Sequence, residues 1–520
     1  MREVARSLLP MAMLLVFGLV LPSCQGEAGI ARPDRPFTDK EPSSPPNIIF
    51  ILADGLDARS AEYMPKLKSL LADQGATFEN AYVTHSLCCP SRASILRGQY
   101  THNHQVLTNG GGPYYTDSNQ TPKVQGPQGF EKFHEMGHEE STIATWLKSG
   151  GYKTVLIGKY LNGYPKQPNS PTYPEGVGPT YMPPGWDEWY ADIEEGTEKG
   201  LYYNYKLNEN GEIVSYGDGE EDYDTDVLAR KATEYVQRTA NDPQPFFMYL
   251  APKTPHEPFI PAPRHKGEFA GTKAPQPPSF NEEDVSDKPS WLRDRFSPLT
   301  STQIAKADAY YRARLQMLLA VDEMISDLIG ALEANGKLEN TYIVFTSDNG
   351  YSLGEHRRQG KESAYEEDIL VPLIVRGPGV PPGRVLDQLA LNIDFAPTFA
   401  ELAGVPAPAF VDGRSLVPLL TGDTPPTDRR SAFLLEHWNE YAQEYVVPDY
   451  KGLHTSDYVY VKYASGDREL YDLRIDPYEL QNLYETADSA LVAQLESRLE
   501  ALNDCAGQTC RTVEDVQPNS

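Results

Sequence analysis

Four polar positions in this chain could do chemistry together, and each comes just past a run that reads as a β-strand. Asp54 follows Asn47–Ala53 (NIIFILA), and Lys159 follows Lys153–Ile157 (KTVLI). His256 comes shortly after Phe246–Ala251 (FFMYLA), and Asp348-Asn349 after Tyr342–Thr346 (YIVFT). Carboxylate and amide oxygens can hold a hard cation, lysine can neutralise an anion, and histidine can move a proton near neutral pH. Any one of these residues, alone, reads as a turn or helix cap. Four together read as a site, because open α/β sheets bind ligands beyond the carboxyl ends of their strands. The pattern names no reaction.

The elements that must position these residues are legible. Short continuous apolar runs mark strands buried on both faces, as in parallel sheets. Between them, Ser141–Ser149 reads as a helix closed by Gly150-Gly151, and Ala305–Asn335 as a long helix. Strand–helix alternation predicts an α/β sheet with helices on both sides. Arg264–Thr300 is Pro-rich and patternless, as functional loops often are. Later, Ser431–Glu436 and Tyr458–Tyr463 have strand character, and Ser489–Leu502 is an amphipathic helix.

The 520 residues fit one large domain and a smaller one. Five cysteines exclude a disulfide-dense scaffold. With 46 Lys+Arg against 74 Asp+Glu, the net charge of −28 argues against a nucleic-acid partner. The chain opens with Arg2 and Arg6, an apolar run from Leu8 to Pro22, and Leu21-Pro22-Ser23-Cys24. The run is too short to span a bilayer and has the layout of an export signal. Its end resembles a bacterial lipobox, which implies a lipid anchor on Cys24. The expected division is 1–23 lipoprotein signal peptide, 24–46 tether, 47–425 catalytic domain and 426–520 C-terminal subdomain.

The segment Leu87-Cys88-Cys89-Pro90-Ser91-Arg92-Ala93-Ser94-Ile95-Leu96-Arg97-Gly98 is the most specific in the chain. It resembles the signature of the formylglycine-dependent sulfatases, Cys-x-Pro-Ser-Arg followed by Leu and Gly. Gly151-Tyr152-Lys153-Thr154-Val155-Leu156-Ile157-Gly158-Lys159 resembles their second signature. A narrower likeness is to the N-acetylglucosamine-6-sulfatases and the heparan-sulfate endosulfatases. It is carried by Tyr100-Thr101-His102-Asn103-His104, Tyr160-Leu161-Asn162, Pro184-Gly185-Trp186, Tyr202-Tyr203-Asn204-Tyr205 and Thr225-Asp226-Val227-Leu228. Cys505 and Cys510 resemble that group's closing pair, which implies a disulfide.

The resemblance implies an alkaline-phosphatase-like α/β fold, with a large mixed sheet flanked by helices. A smaller C-terminal antiparallel sheet and a helix complete it. It assigns Cys88 as the precursor of formylglycine, whose hydrate attacks sulfur, with Arg92 shielding charge. Lys159 and Lys361 match the sulfate-binding lysines, and His256 matches the general acid for the leaving oxygen. Asp54, Asp348, Asn349 and the modified Cys88 match ligands of one Ca2+. The implied partners are a sulfated carbohydrate and a formylglycine-generating enzyme, and the protein is expected to be exported, lipid-anchored to the outer face of a bacterial membrane or secreted.

Two departures stand out. Relatives carry two adjacent Asp after the first strand, whereas this chain has Asp54-Gly55. Asp57 is close enough in sequence to replace the lost carboxylate, or water could fill the position. Leu161 stands where general sulfatases carry a histidine, and His102 or His104 could take over its duty. Glu436, His437 and Trp438 are candidates to face the sugar, and Arg357-Arg358 to add positive charge. The expected substrate is the 6-O-sulfate of N-acetylglucosamine. The alternatives are an aryl or other glycan sulfatase, a phosphonate or phosphate monoesterase, and a non-catalytic sulfoglycan-binding lipoprotein.

Overall fold

The computed structural model describes residues 45–110, 127–165, 177–193, 201–422, 430–439 and 447–516. The expected signal peptide, Cys24 and nearly all of the tether lie outside these residues, as does the expected boundary at 425/426.

Asn47–Ala53 is buried at every position and lies inside a ten-stranded mixed sheet. Its side chains alternate between two cores, as strand geometry requires. Ile48, Phe50 and Leu52 enter one apolar cluster, and Ile49, Ile51 and Ala53 the other. Five parallel strands form the middle, in the order Thr341–Ser347, Asn47–Ala53, Phe246–Ala251, Lys153–Gly158 and Glu188–Asp192. Antiparallel neighbours flank them, Leu373–Arg376 on one side and Lys206–Glu209 on the other. The α/β expectation holds, and the sheet is mixed at its flanks.

One face is covered by the helices Asp224–Arg238 and Ser301–Ala334, which pack on each other. The long helix begins four residues before the expected start. Thr300 accepts from the Gln303 amide while the Gln303 side chain accepts from Thr300 N. This reciprocal cap extends the helix into a stretch with no apolar pattern. The other face carries the helices Cys88–Arg97, Ile143–Ser149 and Phe395–Leu402.

A second, four-stranded antiparallel sheet runs Ala432–His437, Tyr450–Thr455, Tyr458–Tyr463, Arg468–Asp472. The helix Ser489–Asn503 turns Leu495, Leu499 and Leu502 into the same apolar cluster as Phe433, Leu435 and Val461. Cys505 and Cys510 are disulfide-bonded, as the family likeness implied. Among the described residues, no helix is long and apolar enough to cross a membrane.

Candidate active site

The carboxyl ends of the parallel strands are hooked to one another by their backbones. Asp348 N donates to Ala53 O (3.1 Å), Asp54 N to Thr254 O (3.2 Å), and Lys159 N to Ala251 O (2.8 Å). Side chains just past each strand are thereby fixed relative to the next strand. Gly158 permits the last of these contacts: its φ is +105°, and a Cβ there would meet Ala251 O at 2.3 Å.

The helix Cys88–Arg97 delivers Cys88 at its first position, and every residue in it is buried. Leu87 offers the helix start no side-chain cap, and its first turn contains no acidic residue. The positive end of the helix dipole is therefore left to whatever occupies the site. Cys89 N is held by Asn109 Oδ1 (2.8 Å) and Ser91 Oγ by Asn392 Nδ2 (3.0 Å).

These residues converge. Lys361 Nζ lies 2.8 Å from Cys88 Sγ and 3.3 Å from Asn349 Oδ1. Cys88 Sγ lies 3.5 Å from Asp54 Oδ1, and Lys159 Nζ bonds the other Asp54 oxygen. Arg92 Nε donates to Asp348 Oδ2 (2.8 Å) and Nη1 to Lys159 O (3.0 Å). Its Nη2 is 3.7 Å from Asp54 Oδ2 and is a buried donor without a hydrogen-bond partner. One ring nitrogen of His256, Cys88 Sγ and an Asp54 oxygen all lie within 4.8 Å of one another.

The charges here shape each other. Burial opposes ionising Asp54, yet Lys159, His256, Arg92 and Lys361 overcome it and hold the carboxyl well below its ordinary range. Burial pushes the Cys88 thiol up, and Asp54 adds to that against the pull of Lys159 and Lys361. An unmodified Cys88 is thus a thiol rather than a thiolate near neutral pH, a poor nucleophile. Burial also lowers His256, the two lysines reinforcing it and Asp54 opposing it. Nδ1 of its neutral ring contacts Glu257 O, which places the proton on Nδ1 and leaves Nε2 as a lone pair that can accept one.

The donor set fits a hard cation. Two carboxylates and an amide supply only oxygens, the preference of Ca2+. A Cβ on Gly55 would meet only Asn349 Nδ2 within 4 Å, at 3.5 Å, an ordinary contact, so a side chain could start there beside the ligand residues.

Several expectations are corrected. Asp57 does not reach this site: its carboxylate binds Ser60 and Arg314 Nη2 (3.0 Å). Arg357 donates to the carbonyls of Glu282, Phe296 and Glu283, and Arg358 to Ser363, Asp368 and the Lys361 carbonyl. They shape the Lys361 loop instead of lending charge to the pocket. Both ring nitrogens of His102 are engaged, by Glu436 Oε1 (2.9 Å) and Cys505 O (2.9 Å). Those of His104 are engaged by Ser94 Oγ (3.0 Å) and Val106 N (3.1 Å). Neither ring is available for the duty of the missing histidine. His437 is buried, stacks on Tyr450 and contacts Val447 O (3.2 Å), while Glu436 is spent on His102 and Lys451. Trp438 lies beneath Lys451, whose Nζ is 3.9 Å from the ring centroid.

Two further residues belong to the neighbourhood. Arg314, on the long helix, donates through Nη2 to Gly55 O (2.8 Å) and so fixes the turn after Asp54. Its trace in the sequence is a charge on a face otherwise made of Tyr311, Leu315 and Leu318. His85, three residues before Cys88, is buried, meets His437 edge-on, and has an unpartnered Nε2.

Residues 46–405 match the sulfatase family, and residues 354–505 the C-terminal region of N-sulphoglucosamine sulphohydrolase. The chain belongs to the sulfatase family. This sulfatase is 34% identical over 531 residues to the N-acetylglucosamine-6-sulfatase of Capra hircus, covering 95% of this chain and 88% of that one. It is 36% identical over 381 residues to the extracellular sulfatase SULF-1 homolog of Drosophila melanogaster, covering 72% of this chain and 31% of that one. Among solved structures, it resembles one in complex with its substrate D-glucosamine-2-N,6-O-disulfate. The TM-score is 0.72 at 26% identity, over 91% of this chain and 99% of that chain.

Proposed function

We propose that this sulfatase hydrolyses sulfate esters of carbohydrates, with the 6-O-sulfate of N-acetylglucosamine as its substrate. The observation that carries the reading is the convergence of Arg92, Lys159 and Lys361 on Cys88 beside Asp54, Asp348 and Asn349. The names of the relatives support the sugar.

A sulfate ester carries a full negative charge that repels nucleophiles. Lys361 and Lys159, already at Cys88 and Asp54, place ammonium charge where that repulsion must be cancelled. The free Nη2 of Arg92 is a fixed donor aimed at the same space, and its rigid fork suits a tetrahedral oxyanion. His256, once protonated on Nε2, a form that the neighbouring Asp54 carboxylate favours, would hand the departing alcohol its proton. Ca2+ held by Asp54, Asp348 and Asn349 would add Lewis-acid charge, and formylglycine at position 88, as its hydrate, would supply the attacking oxygen. A formylglycine-generating enzyme would be the maturation partner. Export completes the reading, supported by the Cys505–Cys510 disulfide, which suits an oxidising compartment. The lipid anchor would sit on Cys24, as the lipobox-like sequence implies. The chain would divide at 425/426 into a catalytic domain and a C-terminal subdomain.

The test is sulfate release from N-acetylglucosamine-6-sulfate beside a panel of sulfated sugars and an aryl sulfate, with and without calcium. The protein is co-expressed with a formylglycine-generating enzyme, and peptide mass confirms the aldehyde. Calcium-dependent release is expected, and Cys88→Ala should abolish it while the melting curve stays near wild type. Release by Cys88→Ala would sink the mechanism. Gly55 favours a second reading, a sulfoglycan-binding lipoprotein. Glycan binding with no turnover, the aldehyde being confirmed, would favour that instead.

A further inference from the structure

A second cluster of ligating side chains joins the segment that carries Lys361 to Glu479. A ring nitrogen of His356 and one oxygen each from Glu367 and Glu479 lie within 4.8 Å of one another. His356 and Glu479 are each 1% exposed. His356 Nδ1 donates to Glu282 Oε2 at 2.7 Å. That bond places the ring proton on Nδ1 and leaves Nε2 as a lone pair. Nε2 is buried without a hydrogen-bond partner, and so is Glu479 Oε1. A lone pair beside carboxylate oxygens calls for a positive charge between them.

The cations nearby are not paired with these carboxylates. Arg59 favours the ionised forms of Glu355 and Glu367 from a distance, and Lys288 pairs with Glu282 at 3.1 Å. Among the described residues, neither Glu367, Glu479 nor the neighbouring Glu355 forms an ion pair with a lysine or arginine. Burial pushes the Glu355 and Glu367 carboxyls up to about 7, with Glu355 adding repulsion at Glu367. Burial and then Glu366 push Glu479 well above the carboxylate range. The remaining contacts hold the donors in place. Glu479 Oε2 accepts from Glu366 N (3.0 Å), Glu367 Oε1 from Ser279 Oγ (3.2 Å), and the His356 ring stacks on Tyr365 at 4.0 Å. A pocket lined by Asp57, Arg59, Glu355, Glu366 and Glu367 reaches the cluster from one side. Its acidic walls would draw cations inward.

We propose that His356, Glu367 and Glu479 form a second divalent-cation site, distinct from the one at Asp54, with zinc as the fitting ion. One imidazole nitrogen with two carboxylates is a zinc-type donor set, whereas Ca2+ takes oxygens alone. Glu282 is the outer partner that fixes the tautomer and orientation of His356. A bound ion would tie the stretch 356–367 to Glu479, with Glu282 joined to that stretch through His356. The same stretch contains Lys361, so the ion would brace the loop that carries it.

The experiment titrates the full-length protein with Zn2+ by calorimetry in calcium-saturated buffer, and reads the visible d–d spectrum with Co2+. One equivalent of zinc is expected, undiminished by excess calcium. Glu367→Gln and Glu479→Gln, which keep shape and remove charge, should each abolish that equivalent and the cobalt spectrum. Glu282→Gln should weaken zinc by about 10–100-fold. Asp54→Asn should leave zinc binding intact while weakening calcium, which separates the two sites. No calcium-resistant equivalent in the wild type, or one that survives both Gln variants, overturns the proposal. His356→Gln adds a third check where it folds, and the Glu variants decide where it does not.

Discussion

At the scale of single residues, the departure at Gly55 is the one with most to teach. Gly55 has φ +70°, and space for a Cβ is present. Gly55→Asp should therefore raise calcium affinity in a metal titration. The same variant should lower stability by about 1 kcal/mol, because a non-glycine residue is strained in the left-handed region. Reduced affinity for calcium would mean that Gly55 is suited to its site as it stands. His102 gives a pH test. Burial alone would lower its pKa, but the Glu436 carboxylate and its hydrogen bond raise it above the ordinary 6.5. A raised folded-state pKa contributes stability that is complete below the unfolded value and fades as pH rises through the folded one. His102→Gln should therefore lower the melting temperature most at acidic pH, with the gap to wild type closing above neutrality. A gap independent of pH would mean that the ring acts by packing alone.

At the scale of elements, the strands that end at the site were the most legible part of the chain. Asn47–Ala53 and Phe246–Ala251 match their expected bounds, because fully buried parallel strands must be continuous apolar runs. Of the site itself, Cys88, Arg92, Lys159, Lys361, Asp54, Asp348 and Asn349 came from sequence motifs, and the structure brings them together. Contacts between distant segments were not legible. Nothing local says that Asp57 is spent on Arg314, or that His102 is clamped by Glu436 and Cys505, hundreds of residues away. Histidine and aspartate look alike in sequence whether they serve chemistry or packing. Arg314 is the testable case of such a long-range tie. It is fully buried and joins the long helix to the turn at Gly55. Arg314→Met should cost about 3–5 kcal/mol in denaturant unfolding, since it strips a buried charge from its partner. Arg314→Lys should not rescue it, for one ammonium cannot reproduce the fork. A loss under 1 kcal/mol would mean that the pair is screened by solvent.

At the scale of the whole molecule, a net charge of −28 surrounds a pocket of three cationic side chains. The long-range field repels a sulfated glycan, and the buried cations attract it at close range. Salt screens the first more than the second, with a Debye length of about 10 Å at 0.1 M. Raising ionic strength from a low value should therefore raise kcat/KM for a polysulfated oligosaccharide. A steady fall would place the steering charge on the pocket rim instead. The burial of Cys88 also bears on how the molecule is made. Its side chain is 1% exposed, at the head of a helix buried along its whole length. Under the proposed formylglycine chemistry, a maturing enzyme would have to reach the Cys88 thiol, which the docked helix hides. Oxidation would then compete in time with folding. A batch folded without that enzyme would stay inert until it was unfolded and refolded in the enzyme's presence.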